Sequence, residues 1–261
     1  MNVIRFKGKI FVMVKLLFAK LRKFIDSSFP WLARCYRELR DRRIVSRRKF
    51  FRTTHGFEFI GVESMETSRD QSGESALVIK NLELADVFVD GGSNTGFFAM
   101  LAGQAEVHTL ALEPQPHNFK LLIRNIERNR FKGIEARQIA LGRNRSRMKL
   151  FGGGEGASLH RNWGGMKSTY HTEVDVESLD NLLADRFLTL KLFIKLDLEG
   201  HEYEALRGAA RLLARSTSPV WLVEIGFKEN FNDLINPDFS KIFDLFGPMV
   251  MLLKLQIFKS A

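Results

Sequence analysis

From residue 75 onward the chain alternates two kinds of apolar pattern. Short unbroken runs, "VFV" at 87–89, "VHTLAL" at 107–112, "LKLFIKLDL" at 190–198 and "VWLVEI" at 220–225, read as strands buried on both faces. Between them, at 96–104, 116–129 and 201–214, the pattern reads as helix. Shorter strands are expected at 136–139 and 148–151. Near the C-terminus, "NPDFSKIFDLF" offers a helix and "MVMLLKLQIF" a single strand. Strands separated by helices form βαβ units, so the expectation is an α/β fold, a mostly parallel sheet with helices on both faces. Such sheets bind ligands outside the carboxyl ends of their strands. The residues that follow each strand are therefore where chemistry is expected.

The first 54 residues have a different pattern. In "KIFVMVKLLFAKLRKFI", 9–25, apolar residues fall on one arc of a helical wheel and lysines and arginines on the other. Lys15 interrupts the apolar run, so the segment is too short to span a bilayer. Three readings stay open: attachment to an anionic membrane surface, a helix packed on its own domain, or a transit peptide. The expected organisation is a basic amphipathic helical extension over 1–54 and an α/β domain over 55–261.

Charge sharpens that division. The chain of 261 residues carries a net charge of +10, yet residues 1–54 hold 16 Lys/Arg against 3 Asp/Glu. The remainder is thus net −3, which argues against nucleic acid as the partner of the α/β domain. The hydrophobic fraction of 45% excludes wholesale disorder. The single cysteine, Cys35, gives neither an internal disulfide nor a zinc cluster, so a reducing, cytoplasmic setting is expected, with peripheral membrane contact through 9–25. The oligomeric state is not legible.

The chemistry concentrates at "VDGGSNTG", 89–96. A P-loop would need Lys-Ser/Thr after the last glycine, and a dinucleotide fingerprint would need glycine at Ser93; both fail. What remains is an acid at a strand end, Asp90, and a turn framed by Gly92 and Gly96. This suits a cationic ligand such as S-adenosyl-L-methionine, whose sulfonium and ammonium a carboxylate complements. Glycines let a ligand approach the backbone, and Asn94 could donate to the methionyl carboxylate. A tight turn with a capping Asp would look the same, but the next strand ends in another acid, Glu113, suited to both hydroxyls of a ribose. After the third strand, Ala140 and Leu141 offer an adenine face.

These stretches, "VFVDGGSNTGFF", "ALEPQPHNFKLLIRNIERN", "RQIALGRNRSRMKLF", "IKLDLEGHEYEALRGA" and "VWLVEI", taken in order, resemble the FkbM family of S-adenosylmethionine-dependent methyltransferases. The resemblance spans roughly residues 75–225. It implies a Rossmann-like class I methyltransferase sheet and O-methylation of a sugar or natural-product hydroxyl. It also implies methionyl contacts from Asp90, Gly92 and Gly96 and ribose contacts from Glu113. Related folds end in an antiparallel hairpin. Only one strand fits here, so the last strand of the sheet is expected to be missing.

The stretch "DLEGHE" follows the strand at 190–198 and would face the donor methyl. Asp197 or Glu199 is the candidate to hold an acceptor hydroxyl and take its proton, with His201 as an alternative base or an exposed first-turn residue. Lys195 could pair with a carboxylate. Asp197 and Glu224 could share Mg²⁺, although no metal ligand is assigned. Trp163, in the glycine-rich stretch 151–165, could stack on a sugar, or the stretch could be plain connection. The leading expectation is a methyltransferase acting on a small-molecule or saccharide hydroxyl, including a lipid-linked one. The alternative is a catalytically degenerate fold that binds a partner or a membrane.

Overall fold

The computed structural model describes residues 28–29, 39, 48–61, 73–153, 156–161, 163, 171–183, 185–217, 219–228 and 251–258, with backbone alone at 225–228 and 251–258. The segment 9–25, most of the basic extension and the helix expected in "NPDFSKIFDLF" lie outside the described residues. The chain divides into two units, Met1–Arg47 and Arg48–Ala261. The second unit opens with a hairpin, β1 (Phe51–Arg52) paired antiparallel with β2 (Glu58–Phe59). The boundary read from composition, 54/55, falls between these two strands.

The order along the chain then runs α1 (Glu74–Leu82), β3 (Val87–Gly91), α2 (Phe97–Gln104), β4 (His108–Leu112), α3 (Pro116–Asn129) and β5 (Ile134–Arg137). It continues through β6 (Ala140–Leu141), β7 (Ser146–Phe151), β8 (His171–Glu177), α4 (Leu179–Leu183), β9 (Leu192–Leu196), α5 (Glu202–Arg207), α6 (Ala210–Leu213), β10 (Val220–Lys228) and β11 (Met251–Phe258). Among the described residues the main sheet has six strands in the order β11-β10-β9-β3-β4-β5. Every pairing in it is parallel. The chain winds outward from β3 through β4 to β5, then returns to the other side of β3 with β9. The reversal makes β3/β9 the switch point, and in such sheets the ligand crevice lies outside the carboxyl ends of the strands there.

Alternation along β3 explains the two covering layers. Val87 and Val89 point into a core shared with Leu182, Leu183, Leu206 and Leu212 of α4, α5 and α6. Phe88 points the other way, into a core with α1, α2, Leu122 of α3 and the hairpin's Phe57 and Phe59. There it stacks on Phe193 of β9, ring centroids 5.1 Å apart. Helix α2 is buried from Phe97 through Gly103, as its nearly continuous apolar sequence requires.

The single strand expected in "MVMLLKLQIF" is β11, which pairs parallel with β10. Three features depart from the sequence reading. The run at 136–141 splits: β5 ends the main sheet, whereas β6 joins β7 and β8 in a separate three-stranded sheet. Strand β8 was not anticipated. Its polar residues disguise an alternation in which Val174 and Val176 alone are buried. The helix expected over 201–214 breaks into α5 and α6 because the Gly208 carbonyl accepts from Asp180 N–H at 2.8 Å. A β-carbon at Gly208 would also overlap the Gly142 carbonyl.

Candidate active site

The turn after β3 is tied down on every side. Gly92 and Ser93 N–H both donate to the Leu112 carbonyl of β4, at 2.9 and 3.0 Å. The Ser93 hydroxyl donates to the Asp90 carbonyl at 2.7 Å. Gly92, Asn94 and Gly96 all have positive φ, at 77°, 53° and 90°. The space that each missing β-carbon frees is filled by protein: at Gly92 by the Asp197 carbonyl, at Gly96 by the Leu122 side chain. These two glycines therefore let strand and helix close onto the turn. Asp197 N–H donates to the Gly91 carbonyl at 3.0 Å and joins the ends of β3 and β9.

Glu113, just past β4, is 5% exposed and reaches back to this turn. One carboxylate oxygen accepts from Asn94 N–H and the other from Gln115 N–H, both at 2.8 Å. Burial pushes its pKa up to about 7, with the charge of Asp90 adding to the effect. Asp90 is fully buried, and the register sets it between Ala111 of β4 and Lys195 of β9. The Asn94 side-chain oxygen is buried with no hydrogen-bond partner among the described residues. An orphaned acceptor beside two strand-end carboxylates fits a ligand that brings an ammonium and a vicinal diol.

On the neighbouring strand β9, Lys195 is 2% exposed and its Nζ lies 3.0 Å from Asp197 Oδ2 and 4.9 Å from the Phe98 ring centroid. A lysine at this depth needs such partners to remain charged. Asp197 keeps 17% of its side chain exposed. The two other expected catalytic groups are engaged elsewhere. Glu199, at φ 52°, accepts from the Trp163 indole N–H at 2.6 Å, and its carbonyl accepts from the Ser158 hydroxyl at 2.7 Å. His201 is 6% exposed, so it is not a surface residue, and its Nδ1 lies 3.2 Å from His160 Nε2. Burial, with His160 adding, pushes the His201 pKa down to about 4, so its ring is neutral at pH 7. Glu202 closes the turn: its Oε1 accepts from Leu198 and Gly200 N–H, at 2.8 and 3.2 Å.

Trp163 is a correction to the sugar-stacking expectation. It is buried, and a β-carbon on Gly200 would overlap its ring. It packs on the turn after β9, against Gly200 and Glu199. Ala140 and Leu141 are likewise buried in protein, Ala140 against Leu150 and Val174, Leu141 in the core beside Gly91. Neither stands at an end of the main sheet, because β6 belongs to the other one. Glu224, on β10, is buried. Among the described residues no group of three or more His, Cys, Asp or Glu could hold a metal ion. None of the described helices is long and apolar enough to cross a membrane.

Sequence reading did not single out His160 or Asn125. Asn125 left a signal: Asn125 and Asn129 put two amides four residues apart on α3, and Asn125 shares its buried side with Leu121 and Leu122. His160 left none.

The sheet order, the turn at the switch point and the acids at adjoining strand ends define a Rossmann-like methyltransferase fold. Residues 86–258 match the family described as "Methyltransferase FkbM domain", and the chain belongs to that family. The chain is also 29% identical over 141 residues to "Methyltransferase 1" of Beauveria bassiana (strain ARSEF 2860). That match covers 46% of this chain and 57% of the relative, so the chain spans little more than half of that protein's length. No solved structure matches the chain.

Proposed function

We propose that this methyltransferase uses S-adenosylmethionine to methylate a hydroxyl of a small molecule or saccharide. The observation that carries the reading is the set of groups gathered where β3, β4 and β9 end: Asp90, the Asn94 oxygen and Glu113 around the turn after β3, and beside them the Lys195–Asp197 pair, joined to the turn through Gly91. Asp90 and Asn94 receive the aminoacyl end of the donor, and Glu113 takes the ribose hydroxyls on lone pairs beyond those engaged by Asn94, Gln115 and Asn118. The donor supplies an electrophilic methyl on a sulfonium.

Asp197 holds the acceptor hydroxyl and takes its proton as the oxygen–carbon bond forms and the methyl–sulfur bond breaks. Lys195 orients that carboxylate. Glu199 and His201, bound to Trp163 and His160, position the turn and stay out of the chemistry. Alignment of acceptor and methyl supplies about 7–11 kcal/mol of barrier reduction, whereas a general base supplies about 10²–10⁴-fold. Loss of Asp197 should thus slow turnover without abolishing donor binding. The test is incubation with methyl-labelled S-adenosylmethionine and a cell extract split into glycan, lipid, small-molecule, protein and RNA fractions. Label in the first three, appearing about 10²–10⁴-fold more slowly with Asp197→Ala, supports the reading. Label confined to protein or RNA contradicts it.

A further inference from the structure

The glycine turn is held by a helix as well as by its own sheet. Asn125, fully buried on α3, donates from Nδ2 to the Thr95 carbonyl at 2.8 Å and to the Ile60 carbonyl at 3.2 Å, while its Oδ1 accepts from Ile60 N–H at 2.8 Å. One turn later, Asn129 repeats the pattern on the neighbouring alternate residue. Its Nδ2 donates to the Glu58 carbonyl at 2.7 Å and its Oδ1 accepts from Glu58 N–H at 3.0 Å. The mixed donors and acceptors fix both amide orientations. Two helix side chains thus serve β2 and its continuation as the edge of a neighbouring strand would. The i,i+4 rise of the helix matches the two-residue step of the extended chain.

The two amides differ in one respect that concerns the site: Asn125 alone extends its second N–H to the turn. Thr95 lies between Asn94, whose backbone N–H is held by Glu113, and Gly96, against which Leu122 packs. We infer that Asn125 is a positioning residue for the donor: it fixes the Thr95 peptide and, through it, the Asn94 side chain at the aminoacyl end of the pocket. This rests on the donor reading above. It also makes the lead-in segment 58–60 part of the donor site's framework, although that segment supplies no residue to the pocket.

The matched asparagines supply the control. Asn125→Ala and Asn129→Ala each remove a two-bond clamp on the hairpin, but only the first releases Thr95. Affinity for S-adenosylhomocysteine, measured by calorimetry on the full chain, should fall on the order of tenfold in Asn125→Ala, the effect of one buried hydrogen bond. It should stay within about twofold of wild type in Asn129→Ala, with urea stability recorded for both. Should Asn125→Ala fail to fold, Asn125→Asp is read by the same criterion, since it can keep the bond from Ile60 N–H and loses the one to Thr95. Equal affinity in the Asn125 and Asn129 variants, whether both retained or both reduced, overturns the inference. A wild-type chain that binds no S-adenosylhomocysteine is a different result, and overturns the donor reading itself.

Discussion

Replacing Glu202 by glutamine should stabilise this protein at pH 8 and do much less at pH 5. Glu202 is 2% exposed, and its pKa is pushed up to about 7 by burial, with the charge of Asp197 adding to the effect. In the unfolded chain the group titrates near 4.5. The folded state therefore holds a proton that the unfolded state has released. The stability this gives is complete below pH 4.5 and is lost as pH rises through about 7, at about 1.4 kcal/mol per pH unit. The interval between the two values corresponds to roughly 3 kcal/mol at pH 8. Glutamine is neutral throughout and keeps the one oxygen, Oε1, that accepts from both Leu198 and Gly200 N–H. Two other buried groups also titrate here. Glu113, raised to about 7, changes stability in the same direction, and His201, lowered to about 4, in the opposite one. Both are common to wild type and variant and cancel in the difference. Urea unfolding of the two proteins at pH 5, 6, 7 and 8 measures that difference. The expected result is a gap that grows with pH to between about 1 and 3 kcal/mol in favour of the variant. A glutamine variant less stable than wild type at pH 8, or a gap independent of pH, would refute the reasoning.

Other consequences follow from the same geometry. Because Glu113 titrates near 7 and ribose hydroxyls donate to its ionised form, S-adenosylhomocysteine affinity should fall by up to about tenfold per pH unit below 7; a flat profile between pH 5.5 and 7.5 argues against Glu113 as the ribose ligand. Gly92→Ala combines a positive φ with overlap of the Asp197 carbonyl, so it should cost upwards of about 2 kcal/mol in urea unfolding; a neutral effect means that β3 and β9 are not in close contact there. Trp163→Phe removes the N–H to Glu199 together with the outer indole ring that lies over Gly200, which should cost upwards of about 2 kcal/mol in the same assay while donor affinity is unchanged. A loss of donor affinity in that variant would move Trp163 into the donor pocket.

How much of this was legible in the sequence depends on where each residue's partner lies. Strands β3 and β9 are buried throughout, β4 from Thr109 on, and β10 over 221–224, and such largely apolar runs announce themselves. Asp90 and Glu113 could be picked out because a parallel sheet puts its ligands at strand ends. The reason for the glycines could not be read, because the atoms that exclude a β-carbon at Gly92 and Gly96 belong to Asp197 and Leu122, distant in sequence. Ala140 and Leu141 could not be placed from sequence, because two apolar residues after a strand look alike whether they face a ligand or a core. The structure puts them on β6 in the second sheet, Leu141 against Gly91. Likewise, His201 is buried through contact with His160, and Glu199 is occupied by Trp163, both from a stretch with no regular pattern. Strand β8 hides a period of two beneath charged residues on its outer face.

The central claim is that the crevice between β3 and β9 has a donor side and an acceptor side. Titration calorimetry with S-adenosylhomocysteine on wild type, Asp90→Asn and Asp197→Asn tests it most directly. The account requires Asp90→Asn to lose affinity by at least about tenfold, as for a charged hydrogen bond, and Asp197→Asn to bind within about threefold of wild type. Unchanged binding by Asp90→Asn, or loss of binding confined to Asp197→Asn, would contradict it.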